Sequence, residues 1–159
     1  HIKYIIIMKK LIFTLMTLLI STCLFAQSGY IFLPTTNQYW NEATKYTWIT
    51  GSGDLANPVK ITWYWEEKMI TLKDLNFAQL KDEVFFIQTS EESKKDQTAI
   101  QATNGALIII DVVKKEKLIV VTIMSPDKLK PFNENGDVMI KYGRRFLIPL
   151  DDDHVRYIY

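Results

Sequence analysis

The sequence predicts an all-β fold: an antiparallel meander forming a small barrel or a two-sheet sandwich, with at most one short helix. Three observations carry this expectation. Beyond Gln27 the apolar residues recur with period two or run continuously, and β-branched and aromatic residues dominate the runs, as strands require. The runs are short and joined by connections of hairpin length. No amphipathic stretch of helical length separates them, which disfavours a parallel α/β sheet, whose crossovers need helices.

The elements follow in order. Residues 30–33 form a short run stopped by Pro34, and residues 45–50 form another that ends in the flexible loop Gly51-Ser52-Gly53-Asp54. Residues 59–65 and 68–73 read as a hairpin across Glu66-Glu67. Residues 75–80 have room for one helical turn before a strand at 84–89. The charged stretch 90–96 reads as a solvated loop. Strands at 98–103 and 106–113 flank Asn104-Gly105, a strong hairpin signal because a type I′ turn needs positive φ at both central positions. Residues 114–117 turn the chain into a strand at 118–124, and Pro126 and Pro131 bracket a connection that cannot be an interior strand. Strands at 138–142, 145–150 and 155–159 complete the meander.

Residues 106–113 and 118–124 are apolar on both faces, whereas a sheet with one wet face alternates. The expectation is that both faces are covered, by a crossing segment, by the aromatic N-terminal third or by a second subunit, so that Ile109 and Ile110 are both buried.

Residues 8–27 (MKKLIFTLMTLLISTCLFAQ) have the makings of an export signal: two lysines, an apolar run and a small residue, Ala26, at the cut site. The predicted organisation is a signal over residues 1–26, of which residues 1–7 read as an upstream extension, and one all-β domain over residues 27–159. Lys9 and Lys10 interrupt the apolar run, leaving it short of the roughly 20 residues of a spanning helix. The location implied is periplasmic or secreted. The lesser alternative is a lipoprotein anchored at Cys23, the only cysteine, although Thr22 suits the position before a lipidated Cys poorly. Loss of the signal removes that thiol, so the domain is expected to hold together by packing, without disulfides. It also removes Lys3, Lys9 and Lys10, turning the net charge from +1 to about −2. Clustered positive charge of the kind nucleic acid requires is absent, and no nucleic-acid partner is expected.

The residues that could carry chemistry do not assemble a reaction. His154 follows Asp151-Asp152-Asp153, but no second His and no Cys remain to complete a zinc site, and a polar turn is the simpler account. The Asn133-Glu134-Asn135-Gly136-Asp137 run fails the EF-hand pattern, with Val138 at the sixth position and Arg144 at the twelfth. Ser52 lies between glycines without the G-x-S-x-G elbow. Glu66 and Glu67 are adjacent on a turn and so do not flank one sugar from both sides. No catalytic residue, metal or cofactor is expected.

The aromatic residues are the informative group. Trp40, Trp48, Trp63 and Trp65 all lie in the first third beyond the signal, among Tyr39, Tyr46 and Tyr64. Trp63 and Trp65 share one strand face, and Tyr46 and Trp48 repeat that spacing on another expected strand. Such rows are either core or a stacking platform. The functional expectation is an exported, non-enzymatic module that binds a glycan, a peptide or a protein partner through Trp48, Trp63, Trp65 and Tyr46. A small secreted hydrolase, or an envelope-associated structural protein that forms homo-oligomers, are the alternatives.

Overall fold

The computed structural model describes residues 28–75 and 83–159. The export segment with Cys23, and most of the helical turn expected at 75–80, lie outside the described residues. Among the described residues there are eleven strands: β1 (Gly29–Phe32), β2 (Thr36–Trp40), β3 (Ile49–Thr50), β4 (Val59–Tyr64), β5 (Met69–Asp74), β6 (Glu83–Lys94), β7 (Gln97–Ala102), β8 (Leu107–Val113), β9 (Leu118–Pro126), β10 (Ile140–Pro149) and β11 (Val155–Ile158). Helical structure among the described residues is confined to two short 3₁₀ turns, Gly53–Ala56 and Lys114–Glu116. None of the described helices is long and apolar enough to cross a membrane.

The predicted antiparallel meander is what the chain forms. All strands join one sheet in the order β11-β1-β4-β5-β6-β7-β8-β9-β10-β2-β3. The sheet is not closed into a barrel, for β11 and β3 remain its two edges. It folds over instead, because a twisted sheet of about ten strands or more must curl or split to bury its apolar face. β6 is the fold line. Its residues Glu83–Phe86 pair with β5, while Ile87–Lys94 pair with β7 across a register shift at Ile87/Thr89. Phe32, Ile61, Ile70 and Phe85 from one half meet Ile100, Ile108, Ile123, Phe146 and Ile148 from the other in a single buried cluster. The segment from Leu33 to Thr35 carries the chain from β1 in one half to β2 in the other, tied by the Leu33 N–H to the His154 carbonyl (2.8 Å) and the Thr35 N–H to that of Leu147 (2.9 Å).

Several boundaries depart from expectation, each for a local reason. Residues 45–48 are not strand: Lys45 and Tyr46 have positive φ, and the segment is a turn built on Asn41, whose side chain accepts from the Thr44 N–H at 3.0 Å. The strand that does precede β3 is β2, which pairs with β10. Residues 90–94 are not a loop but the exposed second half of β6, hydrogen-bonded to β7 along one side. The expected pair at 138–142 and 145–150 is one strand, β10, with a bulge between Ile140 and Tyr142. At Asn104-Gly105 only Gly105 has positive φ (+87°). The Gly105 N–H bonds to the Ala102 carbonyl (3.1 Å), giving a type I turn closed by a left-handed glycine rather than a type I′ turn.

The two-sided burial expected of β8 and β9 is also corrected. Ile108, Ile110, Ile119, Val121 and Ile123 are buried, but Ile109 is only half-buried and Leu107 is exposed. Sheet folding brings the second layer of the core to the face of Ile108 and Ile110 and not to that of Leu107 and Ile109.

Candidate ligand-binding mouth

The core ends before the strands do. At one end of the folded sheet the inward-facing residues of β1, β4, β6, β8, β9 and β11 run past the last buried layer and line an open cavity of about 860 Å³. That size suits a small-molecule site, and the mouth of a folded β-structure is a usual place for one.

Alternation along the strands sets the wall chemistry. On β4, Ile61 lies in the core and Trp63 follows at period two; Trp65, the first residue of the β4–β5 turn, extends that spacing, and both indoles line the mouth. On β1 the same alternation takes Phe32 into the core and Tyr30 into the mouth, and β11 adds Val155 and Tyr157. Tyr30 is the hub. Its ring lies 5.1 Å from Trp65 at 72°, 5.1 Å from Tyr157 at 47°, 6.2 Å from Trp63 at 38°, and stacks on Phe32 at 5.8 Å. Trp63 and Trp65 themselves meet at 6.2 Å and 82°. These edge and tilted contacts are the geometry that aromatic quadrupoles favour. They lock the rings into one wall. Trp63, Trp65 and Tyr30 are half-buried and Tyr157 is 48% exposed, so the wall keeps a wet side. Burial, with Tyr157 alongside, raises the pKa of Tyr30 above the ordinary tyrosine value.

The facing wall is polar. It comes from the exposed half of β6 and the start of β7: Gln88, Ser90, Glu92, Asp96 and Thr98, with Lys68 at the rim. Asp96 pairs with Lys114 at 3.4 Å, whereas neither Glu92 nor Lys68 has an ion-pair partner among the described residues. A hydrogen-bond chain braces this wall from outside. The Ser93 hydroxyl donates to Gln97 Oε1 at 2.6 Å, and Gln97 Nε2 donates to Asp111 Oδ1 at 2.7 Å, linking β6, β7 and β8.

The structure separates the four residues singled out in the sequence. Trp63 and Trp65 stand together in the mouth. Tyr46 and Trp48 do not share a strand face, since positive φ at residues 45–46 turns the chain there. Tyr46 lies on Trp40 at 4.7 Å, and the Trp48 ring covers the Arg145 guanidinium at 4.0 Å, on the outer surface of β10. Burial pulls the Arg145 pKa down, opposed by Asp111. Tyr30 and Tyr157, which complete the wall, were missed. Their signal was the alternation Tyr30/Phe32 and Val155/Tyr157/Tyr159 on strands the sequence did reveal.

The remaining candidates fall into turns. His154 Nδ1 lies 2.7 Å from Asp151 Oδ1, and the same oxygen accepts the N–H groups of Asp153 and His154, so the run caps the turn before β11. The Asp151 carboxyl pKa is lowered, chiefly by the His154 side chain. Asn133 Oδ1 is filled by the N–H groups of Asn135 and Asp137. Glu66 and Glu67 are exposed on the β4–β5 turn. Among the described residues no group of three or more His, Cys, Asp or Glu could hold a metal ion. A second cavity of about 600 Å³ is lined by Tyr39, Trp40, Leu129 and Tyr142 together with two ion pairs, Arg144 with Glu83 (2.6 Å) and Lys141 with Asp127 (2.9 Å). No family model matches the chain, and no characterised protein or solved structure is significantly similar to it.

Proposed function

We propose that this chain is an exported, non-catalytic binding module whose ligand seats on Trp63, Trp65, Tyr30 and Tyr157. The observation that carries the reading is a wall of interlocked rings left half-wet beside a cavity, where a core would have closed over them. Pre-packed aromatic anchors contribute large contact area at little conformational cost, which is why such residues dominate binding sites. The signal-like segment at residues 8–27 supports an exported location.

Intrinsic tryptophan fluorescence during titration with oligosaccharide and peptide panels tests this reading. A saturable change lost in Trp65→Ala, with the variant's circular dichroism unchanged, is the expected result. Turnover of any bound glycan or peptide would overturn the non-catalytic reading in favour of a hydrolase.

A further inference from the structure

We infer that the ligand of the mouth is a neutral saccharide, lying with its C–H face on the aromatic wall and its hydroxyls on Gln88, Ser90, Glu92 and Thr98. This rests on the binding reading above and names its ligand class. The cavity is lined by two unlike sets of side chains, aromatic rings from β1, the β4–β5 hairpin and β11 and polar groups from β6 and β7, together with the aliphatic Ile87, Ile110, Val112 and Ile119. A pyranose is the small molecule with that same division. Its axial C–H bonds are weakly positive and suit the negative faces of indole and phenol rings. Its hydroxyls both donate and accept, matching hydroxyl, amide and carboxylate partners.

Other ligand classes fit less well. An organic cation would find a partner in Glu92 but would leave Gln88, Ser90 and Thr98 without hydrogen-bond partners. An acidic sugar would meet Glu92, which has no ion-pair partner among the described residues, while Asp96 is already paired with Lys114. A purely apolar ligand would strip water from the polar wall without replacing its hydrogen bonds. Glu92 is the residue of most interest, since a carboxylate accepts from two neighbouring hydroxyls at once.

The test is a fluorescence titration of the protein with short neutral oligosaccharides (β-glucan, α-glucan, mannan and chitin fragments). Uronic-acid oligomers, choline and extended peptides run in parallel. At least one neutral saccharide should bind, with an affinity unchanged between low and high salt because no net charge is paired. Trp65→Ala should weaken it by roughly tenfold or more, the size of an aromatic anchor. Glu92→Gln, which keeps shape and removes charge at an exposed site that the fold does not need, should weaken it several-fold. Binding only of uronic acids, choline or peptide, still lost in Trp65→Ala, would overturn the saccharide inference and leave the binding reading standing. No response to any ligand in the set would overturn both.

Discussion

The Tyr30 ring meets Trp65 nearly edge-on, with centroids 5.1 Å apart and planes inclined at 72°. This contact joins the first strand to the β4–β5 hairpin and holds the mouth open in one shape. It exists because β1 is inserted between β4 and β11, so residues far apart in sequence line one wall.

Gly29 controls that insertion. A Cβ at this position would collide with the Trp63 carbonyl oxygen, a backbone atom that cannot swing aside. Gly29→Ala is therefore expected to destabilise by about 1–3 kcal/mol through forced strand displacement. It should also alter the emission of the neighbouring indoles. Urea denaturation alongside tryptophan spectra checks both, and a parent-like variant would mean that β1 and β4 are not so closely apposed.

Tyr30 gives the fold an alkaline limit. Its pKa in the folded state lies above the unfolded value, from burial first and Tyr157 second. The folded state then holds its proton more tightly, so this stability is fully present below about pH 10 and is lost as the pH climbs through the raised value. Stability measured against pH should fall on that limb, and Tyr30→Phe should flatten the fall. An unchanged slope in the variant would assign the loss to other groups.

Neighbouring isoleucines on β8 should behave differently. Ile108 faces the shared core at 0% exposure and Ile110 lies at the base of the mouth, while Ile109 points to the outer surface and is half-buried. Ile108→Lys, at the fully buried position, should cost about 3 kcal/mol or more, since it buries an unpaired charge. Ile109→Lys should cost about 1 kcal/mol or less, because its ammonium can reach water. Equal large losses in urea melts would show that a second layer covers the outer face.

The Asp151 carboxylate caps the turn that delivers β11 to the mouth. Its pKa is depressed, with the His154 contact the largest cause. Its contribution is thus present above the ordinary carboxylate range and disappears as acid protonates it. Asp151→Ala should flatten the acid limb of the stability curve; an acid limb identical to the parent's would leave the cap without an energetic role.

Period-two patterning made most of this fold legible, since β-branched and aromatic alternation is a local property. The β4–β5 hairpin and the placing of Trp63 and Trp65 on one face follow from it directly. What the pattern does not carry is pairing between distant strands. Tyr30 and Tyr157 become a wall only through the β4–β1–β11 order, which depends on contacts across the whole chain. Charge misled at residues 90–94, where exposure suggested a loop although hydrogen bonds to β7 hold a strand. Positive φ at Lys45 and Tyr46 is unusual for non-glycine residues, and nothing in their side chains announces it.

The four indole N–H resonances offer the most direct test of the central claim, that the mouth is the ligand seat. In a proton–nitrogen correlation spectrum recorded during titration with a binding oligosaccharide, Trp63 and Trp65 should shift together. Trp48, on the outer surface of β10, and Trp40, beside the second cavity, should stay still. Shifts confined to Trp40 and Trp48, with Trp63 and Trp65 silent, would contradict the account and move the binding site away from the mouth.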